Sequence, residues 1–192
     1  MRILNLDKLT NEKWLNLFAA RFEHHGHQGR WVFASRKQDP DRQRDTCDAV
    51  IIVPVLRNPG EVPRLVLVKE FRVPTGGYVY GFPAGLLEPG EGVEETVRRE
   101  MREETGMEVT AFKRVTQGLY STSGLSDESA ALAFVDVRST PQTKPKLEAS
   151  EDIEVLLLDH AAVCRLCDDP AARLDAKLWT TLYLYQQLGQ LV

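Results

Sequence analysis

The chain is poor in cysteine, in uninterrupted apolar stretches and in surplus positive charge, and each shortage closes off a class of function. Three cysteines, Cys47, Cys164 and Cys167, cannot supply the paired framework of a disulfide-stapled domain. Cys164 and Cys167 form a C-x-x-C pair with His160 four residues earlier. No second ligand pair accompanies them, so they read as small apolar residues on a helix rather than a zinc or redox site. The longest apolar run, Ala49 to Leu56, contains Pro54 and falls well short of the roughly 20 residues a membrane helix needs. The first residues, Met-Arg-Ile-Leu-Asn-Leu-Asp-Lys, lack the apolar centre of a secretory signal, which points to a cytoplasmic protein with no membrane partner. Net charge is -4, so there is no basic footprint for nucleic acid. Internal repeats and low-complexity segments are also missing.

What is present suits a globular enzyme-sized chain: 192 residues, 43% hydrophobic and 27% charged, enough for one domain plus a small extension. Residues 1–45 read as that extension. Trp14 to Phe22 is rich in strand formers, although its spacing also admits a helix, and Trp31 to Ala34 is a second apolar run. The intervening His24, His25 and His27 read as a surface turn rather than a metal site. A two-stranded unit is marginal alone, so the extension must pack on the main domain or on a second subunit. Lys37 to Thr46 reads as a linker.

Residues 46–192 form the main domain. Strands are expected at Ala49–Leu56, Arg64–Phe71, one or two places between Glu108 and Leu119, Glu128–Val137 and Ile153–Leu158. Arg72 to Tyr80, with Pro74, Gly76 and Gly77, reads as a loop, and Arg138 to Ser150 as a long one. Asp159 caps a helix through Cys167, and a last helix occupies Asp175 to Leu188. Strands with interposed helices give an α/β or α+β fold.

The chemistry concentrates between Gly85 and Met107. Pro89-Gly90 and Gly92 force a tight loop. Val93, Val97 and Met101 then recur at a spacing of four, the apolar stripe of a helix, and Gly106 suits the position just past its end. Glu100, Glu103 and Glu104 share one helix face within a turn, and Glu91 lies in the preceding loop. Such a cluster repels itself unless neutralised. Arg98, Arg99 and Arg102 offset part of it, and a divalent cation would offset more; oxygen ligands beside water suit Mg2+ or Mn2+. Taken alone, the charges favour a solvated acidic helix face, the usual fate of a charge run.

The complete spacing favours chemistry. Gly85, Glu91, Arg99-Glu100-Met101, Glu103-Glu104 and Gly106-Met107 fall in one register that resembles the Nudix box, G-x5-E-x7-R-E-U-x-E-E-x-G-U with U a bulky apolar residue, and all nine specified positions match. The resemblance implies an α/β/α sandwich with a mixed sheet, a metal-binding loop–helix–loop, and hydrolysis of nucleoside diphosphates linked to another moiety. Further segments resemble the ADP-ribose pyrophosphatase and nucleoside-diphosphate-sugar branch: Glu70-Phe71-Arg72, Pro83 to Leu87, Glu151 to Val155, Asp175 to Lys177, and the N-terminal β extension, which in that branch is exchanged across a homodimer. One position departs. Ser123 in Thr122 to Glu128 stands where the branch usually has a proline associated with ADP-ribose preference, which leaves the choice among nucleoside-diphosphate sugars open.

Carried onto this chain, the resemblance implies Glu100, Glu104 and Glu151 as metal ligands, with the carbonyl of Ala84 as a further one. Glu103 is a ligand or orients water, and Arg99 orients the carboxylates and pairs with Glu91. The general base is Glu148 or Glu151, because the position two residues before Glu151 is Ala149 here. Arg72 contacts the diphosphate, Glu128 binds substrate hydroxyls or metal, and Trp31 either stacks on the nucleobase or packs within the extension. The alternatives are a dinucleotide or triphosphate hydrolase, or a non-catalytic nucleotide-binding module.

Overall fold

A computed structural model describes residues 1–43, 47–139, 144–147 and 151–189. The chain divides into two compact units: residues 1–49 with 117–131, and residues 50–116 with 132–192. The first unit thus recruits a segment from beyond the helix of the box, which composition alone does not disclose.

In the first unit, β1 (Arg2–Lys8), β2 (Asn16–His24) and β3 (His27–Ser35) form a three-stranded antiparallel meander, with His24 paired to His27 across the β2–β3 turn. The segment with ambiguous spacing is therefore extended. Phe18 and Phe33 stack across it with ring centroids 5.9 Å apart. The second segment joins this unit through backbone: Ala34 N–H donates to the carbonyl of Leu125 at 2.9 Å. β9 (Leu119–Tyr120) pairs there with the start of β10 (Ser129–Ser139). Lys37, almost fully buried, is neutralised by Asp48 at 2.9 Å and Asp127 at 3.7 Å.

The second unit is a mixed α+β sandwich. Its sheet also contains β4 (Ala49–Leu56), β5 (Arg64–Arg72), β6 (Gly77–Gly81), β7 (Ala84–Leu86), β8 (Met107–Val115) and β11 (Ile153–Leu158). The strand order is β11-β5-β4-β10-β8, with β6 added to β5 and β7 to β4. Alternation along the central strands builds two cores. Val50, Ile52 and Val66 face one side and pack with Val97 and Met101 of α1 (Val93–Thr105). Val53, Leu65 and Leu67 face the other, against Val163 and Cys167 of α2 (His160–Asp168) and Leu178 and Leu182 of α3 (Ala176–Leu188). Cys167 is thus a core residue, and Cys164 lies 3.8 Å from a ring nitrogen of His160. Among the described residues no helix is long and apolar enough to cross a membrane.

Residues 72–80 are not the loop that their Pro and Gly content suggests. Val73–Thr75 make a single 3-10 turn and the chain returns along β5 as β6. Gly77 is inside that strand because a Cβ there would fall 2.3 Å from Nη1 of Arg173, whose other terminal nitrogen donates to the carbonyl of Thr75.

Both C-terminal helices start on an aspartate. Asp159 accepts from Ala162 N–H at 2.8 Å, and Asp175 from Lys177 N–H at 2.8 Å and Leu178 N–H at 3.3 Å. Replacing the second cap, Asp175→Ala, should lower unfolding free energy by about 1 kcal/mol in urea titrations, because two amides lose their acceptor.

Candidate active site

The site is assembled along α1, in the second unit, from the loop before the helix to its last turn. Val97 and Met101 are fully buried and lock the helix against the sheet. Glu100 and Glu104 neighbour them on the helix surface and are carried into the interior too, with exposures of 8% and 4%. Glu103 stays on the wet side, its side chain 44% exposed. The three box carboxylates therefore occupy two environments, not the single face read from spacing. Gly106 ends the helix with φ of 70°, its N–H donating to Arg102 and Met101 carbonyls.

Arg99 ties the site together. Its Nε and Nη2 both meet the carboxylate of Glu91 at 2.9 Å, Nη1 donates to Glu100 at 2.7 Å and to Glu103 at 3.1 Å, and Nη2 also reaches the carbonyl of Leu86 at 3.0 Å. These contacts fill the donor capacity of a guanidinium. Hydrogen bonding from Arg99 holds Glu91 down at about 2, while the same pairing raises the pKa of Arg99 itself.

The interior carboxylates behave oppositely. Burial, followed by the neighbouring charge of Glu100, pushes Glu104 up to about 9, against the opposing effect of the Ala84 N–H that donates to it at 3.2 Å. Glu70 and Glu151 raise it further. Glu100 is also raised, first by burial, with Arg99 opposing. Glu70 is raised by burial and by Glu151, and lowered by Arg72, which pairs with it at 2.8 Å.

Glu70 is the member of this group that sequence reasoning missed. It entered only as the first letter of Glu-Phe-Arg, where Arg72 drew attention. The signal that would have found it is strand pairing: Glu70 lies opposite Ile153, two residues from Glu151.

The structure thus brings together Ala84, Gly85, Glu91, Arg99, Glu100, Glu103 and Glu104, with Glu70 and Glu151 felt electrostatically and Arg72 attached through Glu70. Trp31 and Glu128 belong to the first unit. Trp31 donates from Nε1 to the carbonyl of Gly124 at 3.2 Å and is 56% exposed, so its ring is not buried in the meander. Glu128 accepts from Arg36 at 2.6 Å. Glu148 lies outside the described residues; Lys146, two residues before it, donates its N–H to the carbonyl of Glu103 at 2.7 Å.

Among the described residues no three Asp, Glu, His or Cys side chains converge closely enough to hold an ion as they stand. Arg99 meanwhile pairs with both Glu100 and Glu103. The donor chemistry nevertheless fits a hard divalent cation, since carboxylates raised by burial, and further by one another's charge, are what such a cation relieves. Gly85 supplies the room: a Cβ there would fall 1.7 Å from Oε1 of Glu100.

Two outcomes follow from this geometry. Gly85→Ala should retain the far-ultraviolet circular dichroism of the wild type yet weaken Mn2+ binding by roughly 10- to 100-fold, because the new methyl group displaces Glu100. The second concerns pH. Glu104 is raised from 4.5 to about 9, so between those values the folded chain holds a proton the unfolded chain has released. Stability in chelator must then fall as pH rises through that window. The melting temperature of Glu104→Gln should decline less than that of the wild type from about pH 5 to about pH 9; parallel curves would show Glu104 to be an ordinary carboxylate.

Comparison with known proteins agrees with this geometry. The NUDIX domain family matches residues 45–176. A Caenorhabditis elegans protein named as a nudix hydrolase is 31% identical over 167 residues, covering 84% of this chain and 74% of its own length. The ADP-sugar pyrophosphatase of Mus musculus is 32% identical over 139 residues, covering 70% of this chain and 60% of its own. A crystal structure of an ADP compounds hydrolase superposes with a TM-score of 0.71 at 23% identity, over 97% of this chain and 92% of that one, a likeness of fold. Nudix hydrolases generally use divalent metal ions. With the box complete in sequence, its helix packed on a mixed sheet and its arginine joined to three of its glutamates, the chain belongs to the Nudix hydrolase family.

Proposed function

We propose that the protein hydrolyses the pyrophosphate bond of ADP-ribose or another nucleoside-diphosphate sugar, giving a nucleoside monophosphate and a sugar phosphate. The observation that carries this is the interior set Glu70, Glu100 and Glu104, each raised first by burial, with the charge of Glu151 acting on all three beside the Arg99 network. The mouse relative, named an ADP-sugar pyrophosphatase, supports the substrate class.

Water attacks one phosphorus, the bond from that phosphorus to the bridging oxygen breaks, and the departing phosphate takes up the negative charge. Bound Mg2+, or Mn2+ in its place, supplies neutralisation of the diphosphate and a more acidic water. Glu100, Glu104 and Glu151, with the Ala84 carbonyl, would hold it. Glu103, half-exposed at the rim, is a further ligand or orients water. Arg99 keeps Glu100 and Glu103 aimed. Glu148 or Glu151 removes the proton from water. Arg72 gives a bidentate contact to the diphosphate, exchanging Glu70 for it. Trp31, exposed, stacks on the nucleobase, and Glu128 binds substrate hydroxyls or metal. The exposed apolar residues of the first unit, among them Ile3, Leu17 and Val32, suit exchange of the meander within a homodimer. Three free cysteines suit a cytoplasmic location.

Ser123 keeps the sugar and base undecided. Magnesium-dependent monophosphate release should therefore be measured on ADP-ribose, GDP-mannose, UDP-glucose, a dinucleotide and a triphosphate. The expected result is preferential turnover of one sugar diphosphate, lost by orders of magnitude in Glu104→Gln. Preference for the dinucleotide or triphosphate would replace the substrate class. A folded, metal-binding protein with no turnover of any would be a nucleotide-binding module.

A further inference from the structure

We propose that Tyr78 and Asp152 form a clamp behind the site that positions Glu151; this rests on the reading of Glu151 as a metal-site residue. Side chains alternate between the two faces of the sheet. Cross-strand rows run through β6, β5 and β11: Tyr80, Lys69 and Glu154 make one row, and Val79, Glu70 and Ile153 the next. In the third, Tyr78 pairs with Phe71, whose N–H donates to the carbonyl of Asp152 at 3.2 Å. Successive rows point to opposite faces. Glu70 and Glu151 therefore share the face toward the acid site, and Lys69, Phe71, Tyr78 and Asp152 share the back.

The back face is held by side chains. The Tyr78 hydroxyl donates to Oδ2 of Asp152, reaching over the intervening strand. The Tyr78 ring meets Phe71 edge-on at 5.4 Å, and the Lys69 ammonium lies 5.5 Å from its centroid while pairing with Glu154 at 3.9 Å. Strand pairing of β11 begins at Ile153, so the β11–β5 ladder stops short of Glu151. The bonds at Asp152, one from a backbone amide and one from Tyr78, carry order across that step. Because Asp152 is fixed on the back, Glu151 is fixed on the front; a rotation of the strand end would turn both together. Tyr78 is a positioning residue and touches no substrate. It is 42% exposed, so removing its hydroxyl leaves the core intact.

The test compares Tyr78→Phe, Asp152→Ala, Asp152→Asn and Glu151→Gln in the full chain, reading Mn2+ affinity by paramagnetic resonance and Phe71 amide exchange by NMR. Tyr78→Phe and Asp152→Ala should each weaken Mn2+ about tenfold and speed exchange at Phe71. Asp152→Asn, which keeps an oxygen acceptor for the tyrosine, should restore most of the affinity. Adding Tyr78→Phe to Glu151→Gln should cost nothing further, because both act through one carboxylate. Wild-type affinity in Tyr78→Phe, or an additive loss in the double variant, would overturn the clamp. Glu151→Gln with wild-type affinity would instead overturn the reading of Glu151, and the clamp with it. That arm separates the two failures.

Discussion

One guanidinium carries the architecture of the site. Arg99 spends its donors on a loop carboxylate, two helix carboxylates and a strand-end carbonyl. The loop that leads into α1 contains Pro89, Gly90 and Gly92. Its shape is held by Glu91, clasped by Arg99 through both oxygens and bonded within the loop to Glu88. A lysine here would keep the charge and lose the fork, so the loop would be neutralised but not shaped. The other half of the arrangement is a missing side chain. Gly85 lets the strand end approach Glu100 so closely that any larger residue would occupy the carboxylate's place.

Two kinds of carboxylate result. Glu91 is satisfied before any ligand arrives and is held far below its usual range. Glu104, deeper and surrounded by Glu100, Glu70 and Glu151, is held far above it. The contrast comes first from burial, which raises Glu104, and from Arg99, which meets Glu91 directly while Glu104 has a backbone amide. Packing enforces this: Val97 and Met101 are anchored at 0% exposure, and Glu100 and Glu104 are carried inward beside them while Arg98 and Arg102 stay exposed.

Much of this was legible in sequence, for identifiable reasons. The box reads out because its chemistry is local: spacing along one helix fixes which residues meet. The aspartate caps and the apolar strands β4, β5 and β11 were legible for the same reason. The rest depended on pairing between distant segments. β6 was hidden by Gly77, whose small size serves an approach by Arg173 rather than a turn. Glu70 was hidden because its neighbours in the site come from α1 and from the residues just before β11. The placement of residues 117–131 with the N-terminal meander rests on contacts such as Ala34 with Leu125, separated by most of a domain's length in the chain. Burial of Glu100 and Glu104 together with exposure of Glu103 was also beyond spacing, because three charges on one helix face look alike until a sheet covers part of it.

The elevation of Glu104 bears on how an ion and the solvent compete. A carboxyl held near 9 is protonated in neutral solution, so it is not a ready ligand. As the proposed ligand of a cation, Glu104 would surrender that proton to buffer when the cation is accepted. Acid and metal would then be rivals for one atom pair, and a cation bound there would be held more tightly as the medium becomes more alkaline. A drift in pH would alter the occupancy of such a centre with no change in the concentration of the metal.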